Sequence, residues 1–167
     1  MVRWLIKYGF MFIVLVLIQV LVLNQVQFSG FVNPYIYILF VLLLPLSTPR
    51  WLLLFAGFLI GLTVDVFSNS LGIHAAATVL VAFIRPFVIR SISSREEDRN
   101  DYPGLSQNKF FWFLYYTSIM VLIHHFVLFY LEFLTFSQFF TTFLRVLISS
   151  FFSIFVIVLS QFLIFRK

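Results

Sequence analysis

Long apolar runs separated by short polar clusters make up almost the whole chain. Six apolar segments can be drawn, at 8–28, 34–48, 51–67, 71–89, 110–133 and 138–165. A spanning helix needs roughly 20 largely apolar residues, so the pattern predicts an all-α integral membrane protein with about six transmembrane helices. These form a single transmembrane domain over 1–167, with a cytoplasmic loop at 90–109. The second segment is short for a span. Asn33-Pro34 at its start and Pro45, Ser47, Thr48 and Pro49 at its end remove donors and restrict the backbone. An alternative has four spans, with segments two and three folded as a re-entrant hairpin. That would draw Arg50 into the bilayer, where irregular backbone is tolerated only inside protein or against water, so six spans are preferred.

Charge placement agrees with six spans. Arg3 and Lys7 precede the first segment, Arg50 lies between the second and third, and Arg85, Arg90, Arg95, Arg99 and Lys109 flank the fourth and fifth. Arg166 and Lys167 follow the sixth, whereas the alternate connections at 24–33, 68–71 and 132–138 carry no Lys or Arg. Because Lys and Arg collect on the cytoplasmic side, both termini are expected there. The charged start before an apolar run imitates a signal peptide, but Gln25 to Gly30 offers no A-x-A-like cleavage site. The expectation is a retained first helix.

Composition narrows the function. Of 167 residues, 62% are hydrophobic and 10% charged, against about a quarter charged in soluble domains. The net charge of +5 is scattered over segment ends and forms no basic face, which argues against nucleic acid. Absence of cysteine excludes disulfides and thiol-ligated metal. The 25 Phe residues read as lipid-facing bulk, and Trp4, Trp51 and Trp112 as interfacial anchors at the cytoplasmic edge.

The most informative stretch runs from Gly57 to Ala77. Gly57, Gly61 and Asp65 recur every four positions and so share a helix stripe, where missing side-chain bulk lets another backbone approach. Gly72 and Ala76 repeat the spacing, predicting a tight hairpin of the third and fourth segments with an outward turn at Ser68, Ser70 and Gly72. Asp65 is costly in lipid and needs a partner. It is read as a structural acceptor for Ser68, Asn69 or backbone donors at the turn, ahead of a proton or cation site. Arg145, about two turns into the last segment, either snorkels outward or forms a buried pair with Glu132 or Asp65. His124 and His125 point about 100° apart on a helix and cannot readily share one ion, and with His74 they read as polar interhelical packing. No P-loop, G-x-S-x-G, His pair at i,i+4 or paired carboxylate is present, so no catalytic residue, metal or cofactor is expected. The stretch 90–109 reads as a solvated linker, with a docking loop as the alternative.

In layout, and in Gly57, Gly61, Asp65, Ser68, Ser70, Leu71 and Gly72, the chain resembles the bacterial rod shape-determining MreD family. Specific agreement runs from about Asn33 to Pro86, and the C-terminal third agrees in hydropathy alone. The resemblance implies a non-enzymatic scaffold of the cell-wall elongation complex in the inner membrane. Its partners would be an MreC-like single-span coiled-coil protein and, through it, the RodA glycosyltransferase, a penicillin-binding transpeptidase and the actin-like MreB. Gly57, Gly61 and Gly72 would then allow close approach, while Asp65 and Ser68 hold the turn. The competing expectation is a small-solute carrier or an importer's substrate-binding subunit, whose sign would be a buried polar cluster converging from several spans.

Overall fold

A computed structural model describes residues 2–25, 32–93, 101–133 and 139–164. All regular structure in it is helical: α1 (Val2–Ile18) running into a π-helical turn (Gln19–Leu23), α2 (Leu39–Leu43), α3 (Arg50–Ser68), α4 (Ile73–Ile92), α5 (Phe110–Phe133) and α6 (Phe139–Ile164). Five helices are long and apolar enough to cross a membrane: α1 with its π turn, α3, α4, α5 and α6. Consecutive helices from α3 to α6 pack side by side, and α1 closes on α2 and α3.

The expected second spanning helix at 34–48 is not one. Its chain is extended from Val32 to Ile36, turns, and forms only the five-residue α2 before Leu44 and Pro45. The local sequence explains this. Pro34 pushes Asn33 before it toward extended backbone, Tyr35-Ile36-Tyr37-Ile38 alternates aromatic and β-branched residues, which favour extended backbone, and Pro45 stops α2. Hydropathy cannot separate an apolar strand-like run from an apolar helix. The re-entrant alternative also departs from the structure at its third segment, because α3 is an unbroken 19-residue helix.

This segment is the centre of the molecule. Tyr37, Ile38, Val41 and Leu42 are fully buried, with Tyr35, Ile36, Leu39 and Phe40 nearly so. Its two ends touch opposite ends of the bundle. Asn33 N–H donates to Ser149 Oγ, about three turns into α6 and near the level of the end of α5 (3.1 Å), and Leu46 N–H donates to the Asp101 carbonyl beyond the far end of α4 (3.0 Å). The five residues 32–36 and the five-residue α2 together reach about 24 Å, most of the roughly 30 Å of a hydrocarbon core.

Away from water, extended backbone must find its hydrogen bonds elsewhere. Side chains supply them. Tyr35 N–H donates to Ser153 Oγ (2.8 Å), and the fully buried Gln19 accepts from Ile36 N–H (2.8 Å) while its amide nitrogen donates to the Pro34 carbonyl (3.2 Å). Gln19 opens the π turn, a widened geometry that recurs where helices serve special contacts. At the lower end, Tyr116 Oη donates to the Leu42 carbonyl (3.1 Å) and Arg85 Nη2 to that of Leu44.

Replacing Gln19 with Leu leaves the Ile36 N–H and Pro34 carbonyl buried without partners, at about 1–3 kcal/mol for each orphaned group. Thermal unfolding in detergent should show a clear drop in midpoint for Gln19→Leu and little change for Leu21→Ala on the exposed face of the same turn; equal midpoints would contradict the clamp.

Candidate functional site

The glycine stripe of α3 lies against α4 inside the molecule. A Cβ on Gly61 would fall 2.5 Å from Ala75 Cα and 2.7 Å from the His74 carbonyl oxygen, and one on Gly57 would fall 3.1 Å from Ala82 Cβ. Backbone therefore meets backbone at Gly61, and only glycine fits. The facing stripe on α4 is Ala75, Thr78 and Ala82, all buried. Ala76, expected on it, is exposed, because the helix begins one residue out of the assumed register and turns Ala75 inward. Gly72 also has a different role from close approach. Its surroundings are open, and its φ of +81° makes the left-handed turn into α4, while Asn69 at φ +53° ends α3.

Asp65, on the same stripe, caps α4 from the neighbouring helix. Its Oδ2 accepts from Ala75 N–H (2.8 Å), and its Oδ1 accepts from His74 N–H (3.0 Å), Ser70 Oγ–H (2.5 Å) and His74 Nδ1 (3.1 Å). The first two are amides that a helix start leaves without intrahelical partners, and a carboxylate there also complements the helix dipole. Ser70, having given its proton to Asp65, stands 3.0 Å from His74 Nδ1 as an acceptor, so Nδ1 carries the ring proton. Ser68 faces the other way and accepts from Asn24 Nδ2 at 3.1 Å, tying the turn to the end of α1.

The three imidazoles gather around one tyrosine. His74, His124 and His125 have ring centroids 5.4, 6.1 and 5.3 Å from that of Tyr35. His125 Nδ1 lies 2.9 Å from the Val121 carbonyl, which can only accept, so Nε2 is the acceptor for Ser153 Oγ–H at 2.9 Å. A chain of hydrogen bonds thus passes from Tyr35 N–H through Ser153 and His125 to the α5 backbone. His124 Nε2 pairs with Tyr37 Oη at 2.8 Å. Among the described residues no group of three or more His, Cys, Asp or Glu is arranged to hold a metal ion.

Above this cluster opens a chamber of about 300 Å³, walled by the end of α1 (Asn24, Gln25), the extended segment (Asn33, Tyr35), the hairpin turn (Ser68, Ser70, His74) and the end of α5 (Glu132). Glu132 is exposed at its rim. Arg145 lies nearby, its guanidinium 4.8 Å from the Phe129 ring centroid. Asn33, with its amide turned as its surroundings favour, accepts from Arg145 Nη2 at 2.8 Å. Asp65 itself takes His74 as its ionisable partner.

Several residues that matter here went unmarked in the sequence: Gln19, Tyr35, Tyr37, Tyr116, Ser149 and Ser153. Arg85, expected as a topology determinant, is 2% exposed and bonds inward to Tyr116 Oη (3.0 Å) and the Leu44 carbonyl. Ser149 and Ser153 stand four apart on one face of α6, a spacing that was legible. The stretch 94–100, with Arg95 and Arg99, lies outside the described residues. Comparisons with known family models, curated proteins and solved structures find no match to this chain.

The hairpin geometry ranks its two close glycines. Gly61→Ala forces α3 and α4 apart at backbone contact and should cost at least about 2 kcal/mol, in the range of overpacking strain, whereas Gly57→Ala meets the Ala82 methyl at 3.1 Å and the Thr78 carbonyl oxygen at 3.2 Å, a looser fit that should cost less. Denaturation of both variants in one detergent checks the order, and a Gly61→Ala as stable as wild type would refute the contact.

Proposed function

We propose that this chain is a non-enzymatic membrane scaffold of the cell-wall elongation complex in the bacterial inner membrane. It supports cell shape by binding an MreC-like single-span coiled-coil protein and linking it to the RodA glycosyltransferase, a penicillin-binding transpeptidase and MreB. The resemblance of the Gly57 to Gly72 stretch to the MreD family supplies the machinery. One structural observation carries the scaffold reading: the first and last helices are the least buried. Only 22% of the α1 span and 28% of α6 lie inside the molecule, against 33–44% for α3, α4 and α5. The glycine stripe is consumed between α3 and α4, and the outward rows of α1 (Phe10, Ile13, Leu17, Leu21) and α6 (Leu147, Phe151, Phe155) offer apolar surface to a partner's helix. The Asp65 cap on α4 and the bonds from Gln19, Ser149, Ser153, Tyr116 and Arg85 to the core segment support this use, because they hold a frame behind those faces.

The topology that goes with this reading rests on charge placement. Lys7, Arg50, Arg90 and Lys109 belong to the end of the bundle where α1 starts, α4 ends and α5 starts, while Asn24, Asn33, the Ser68 to Gly72 turn and Glu132 belong to the other. By the positive-inside rule we read the first end as cytoplasmic, with both termini on that side, and the segment at 32–44, with its short α2, as a sixth crossing.

A second reading has its own observation. The chamber of about 300 Å³ receives polar side chains from α1, the extended segment, the hairpin turn and α5, the convergence expected of a solute carrier or an importer's substrate-binding subunit.

Gentle solubilisation of the tagged chain from its native membrane, followed by mass spectrometry, separates the two. The scaffold reading predicts a single-span coiled-coil protein in stoichiometric amount, lost when Phe151 and Phe155 are both changed to Ala. Recovery of the chain alone with a tightly held small molecule would overturn it in favour of the second reading.

A further inference from the structure

Beside the outward faces of α1 and α6 lies a groove of about 540 Å³ that belongs to neither the chamber nor the hairpin. Its floor is the core segment, through Ile36, Leu39 and Leu43, and its α1 wall is Met11, Val14 and Ile18. The polar groups collect at one end. Lys7 lies there with its ammonium 4.7 Å from the Tyr102 ring centroid, beside Ser106 and Gln107. Among the described lining residues Lys7 carries the only charge. Gln161 also lines this groove, and it is wholly buried with neither amide atom partnered among the described residues. A buried carboxamide without partners is costly and calls for an explanation.

The dimensions select the occupant. From Lys7 to Ile18 the helix rises about 16 Å, the hydrocarbon depth of a single leaflet, half of the roughly 30 Å core. A partner's spanning helix would use the full depth and a trough matched to a cylinder about 10 Å wide. A groove that is apolar for one leaflet and cationic at its mouth matches a lipid, with its tail inward and a negative head at the surface.

We propose that the groove holds one acyl chain of an anionic phospholipid from the leaflet at the Lys7 end, with its phosphate against Lys7 and its ester region against Gln161. The proposal rests on the chain being membrane-embedded but not on the identity of any protein partner. Lipid bound there fills the space between the first and last helices and satisfies an amide that the protein leaves open. One lysine near an anionic surface is worth about fivefold in affinity, which sets the expected headgroup preference.

Native mass spectrometry of the full chain, delipidated and then titrated with phosphatidylglycerol or phosphatidylcholine, reads both features. Wild type should retain one lipid per chain with about fivefold preference for phosphatidylglycerol. Lys7→Gln should keep the lipid and lose the preference, Val14→Trp should lose the lipid, and Leu21→Trp, an exposed α1 position outside the groove, should behave as wild type. Equal lipid retention by wild type and Val14→Trp would overturn the proposal. So would a photo-crosslinker at Val14 that captures a partner protein's helix in native membranes, which would make the groove a protein interface.

Discussion

Between Asn33 and Leu44 the backbone passes through the middle of the bundle for much of its course without the hydrogen bonds of a helix, and the rest of the structure is arranged around meeting that demand. Each exposed amide or carbonyl left unmet in such surroundings costs several kcal/mol. Gln19 answers two of them, Ser149 and Ser153 two more, and Tyr116 and Arg85 the carbonyls at the end of α2. The π turn in α1, the serine pair on α6 and a buried arginine on α4 are otherwise unconnected oddities. Here they are parts of one clamp drawn from four helices, and they fix where those helices stand.

The α3/α4 hairpin places one arm of that clamp. Gly61 lets the two backbones touch, and Asp65 anchors the first turn of α4 through His74 and Ala75. Arg85 lies eleven residues further along the same helix, about 16 Å on, where its guanidinium meets Leu44 and Tyr116. A shift of α4 at the hairpin is therefore passed to the far end of the core segment. The imidazole cluster reinforces the other end, since His125 orients Ser153, and Ser153 holds Tyr35. The polar interior thus stiffens the frame on which α1 and α6 present their apolar faces.

Much of this was legible. The apolar runs marked every long helix, and the four-residue rhythm of Gly57, Gly61 and Asp65 marked the face that packs, because both follow from local period and side-chain size. The second segment was misread for an equally local reason: Tyr35-Ile36-Tyr37-Ile38 has the hydropathy of a span but the alternation of a strand. Asp65 could be expected to need donors, yet its role as a cap on the next helix depends on a register that put Ala75, not Ala76, inside. Arg85 was opaque. Its position near the end of an apolar segment matches that of an ordinary interfacial cation, and only the tertiary fold turns it toward a carbonyl eleven residues beyond Asn33.

Because the chain has no cysteine, the crossing of the core segment can be tested with introduced pairs in intact membranes. Asn33→Cys with Ser149→Cys reports one end of the segment and Leu46→Cys with Asp101→Cys the other, both at positions now joined by hydrogen bonds of 3.1 and 3.0 Å. Efficient disulfide formation in both pairs, with the single variants Asn33→Cys and Leu46→Cys labelled by membrane-impermeant thiol reagents from opposite faces, is the result expected of a segment that threads the bundle from end to end. Labelling of both sites from the same face, or failure of either pair to close, would contradict it.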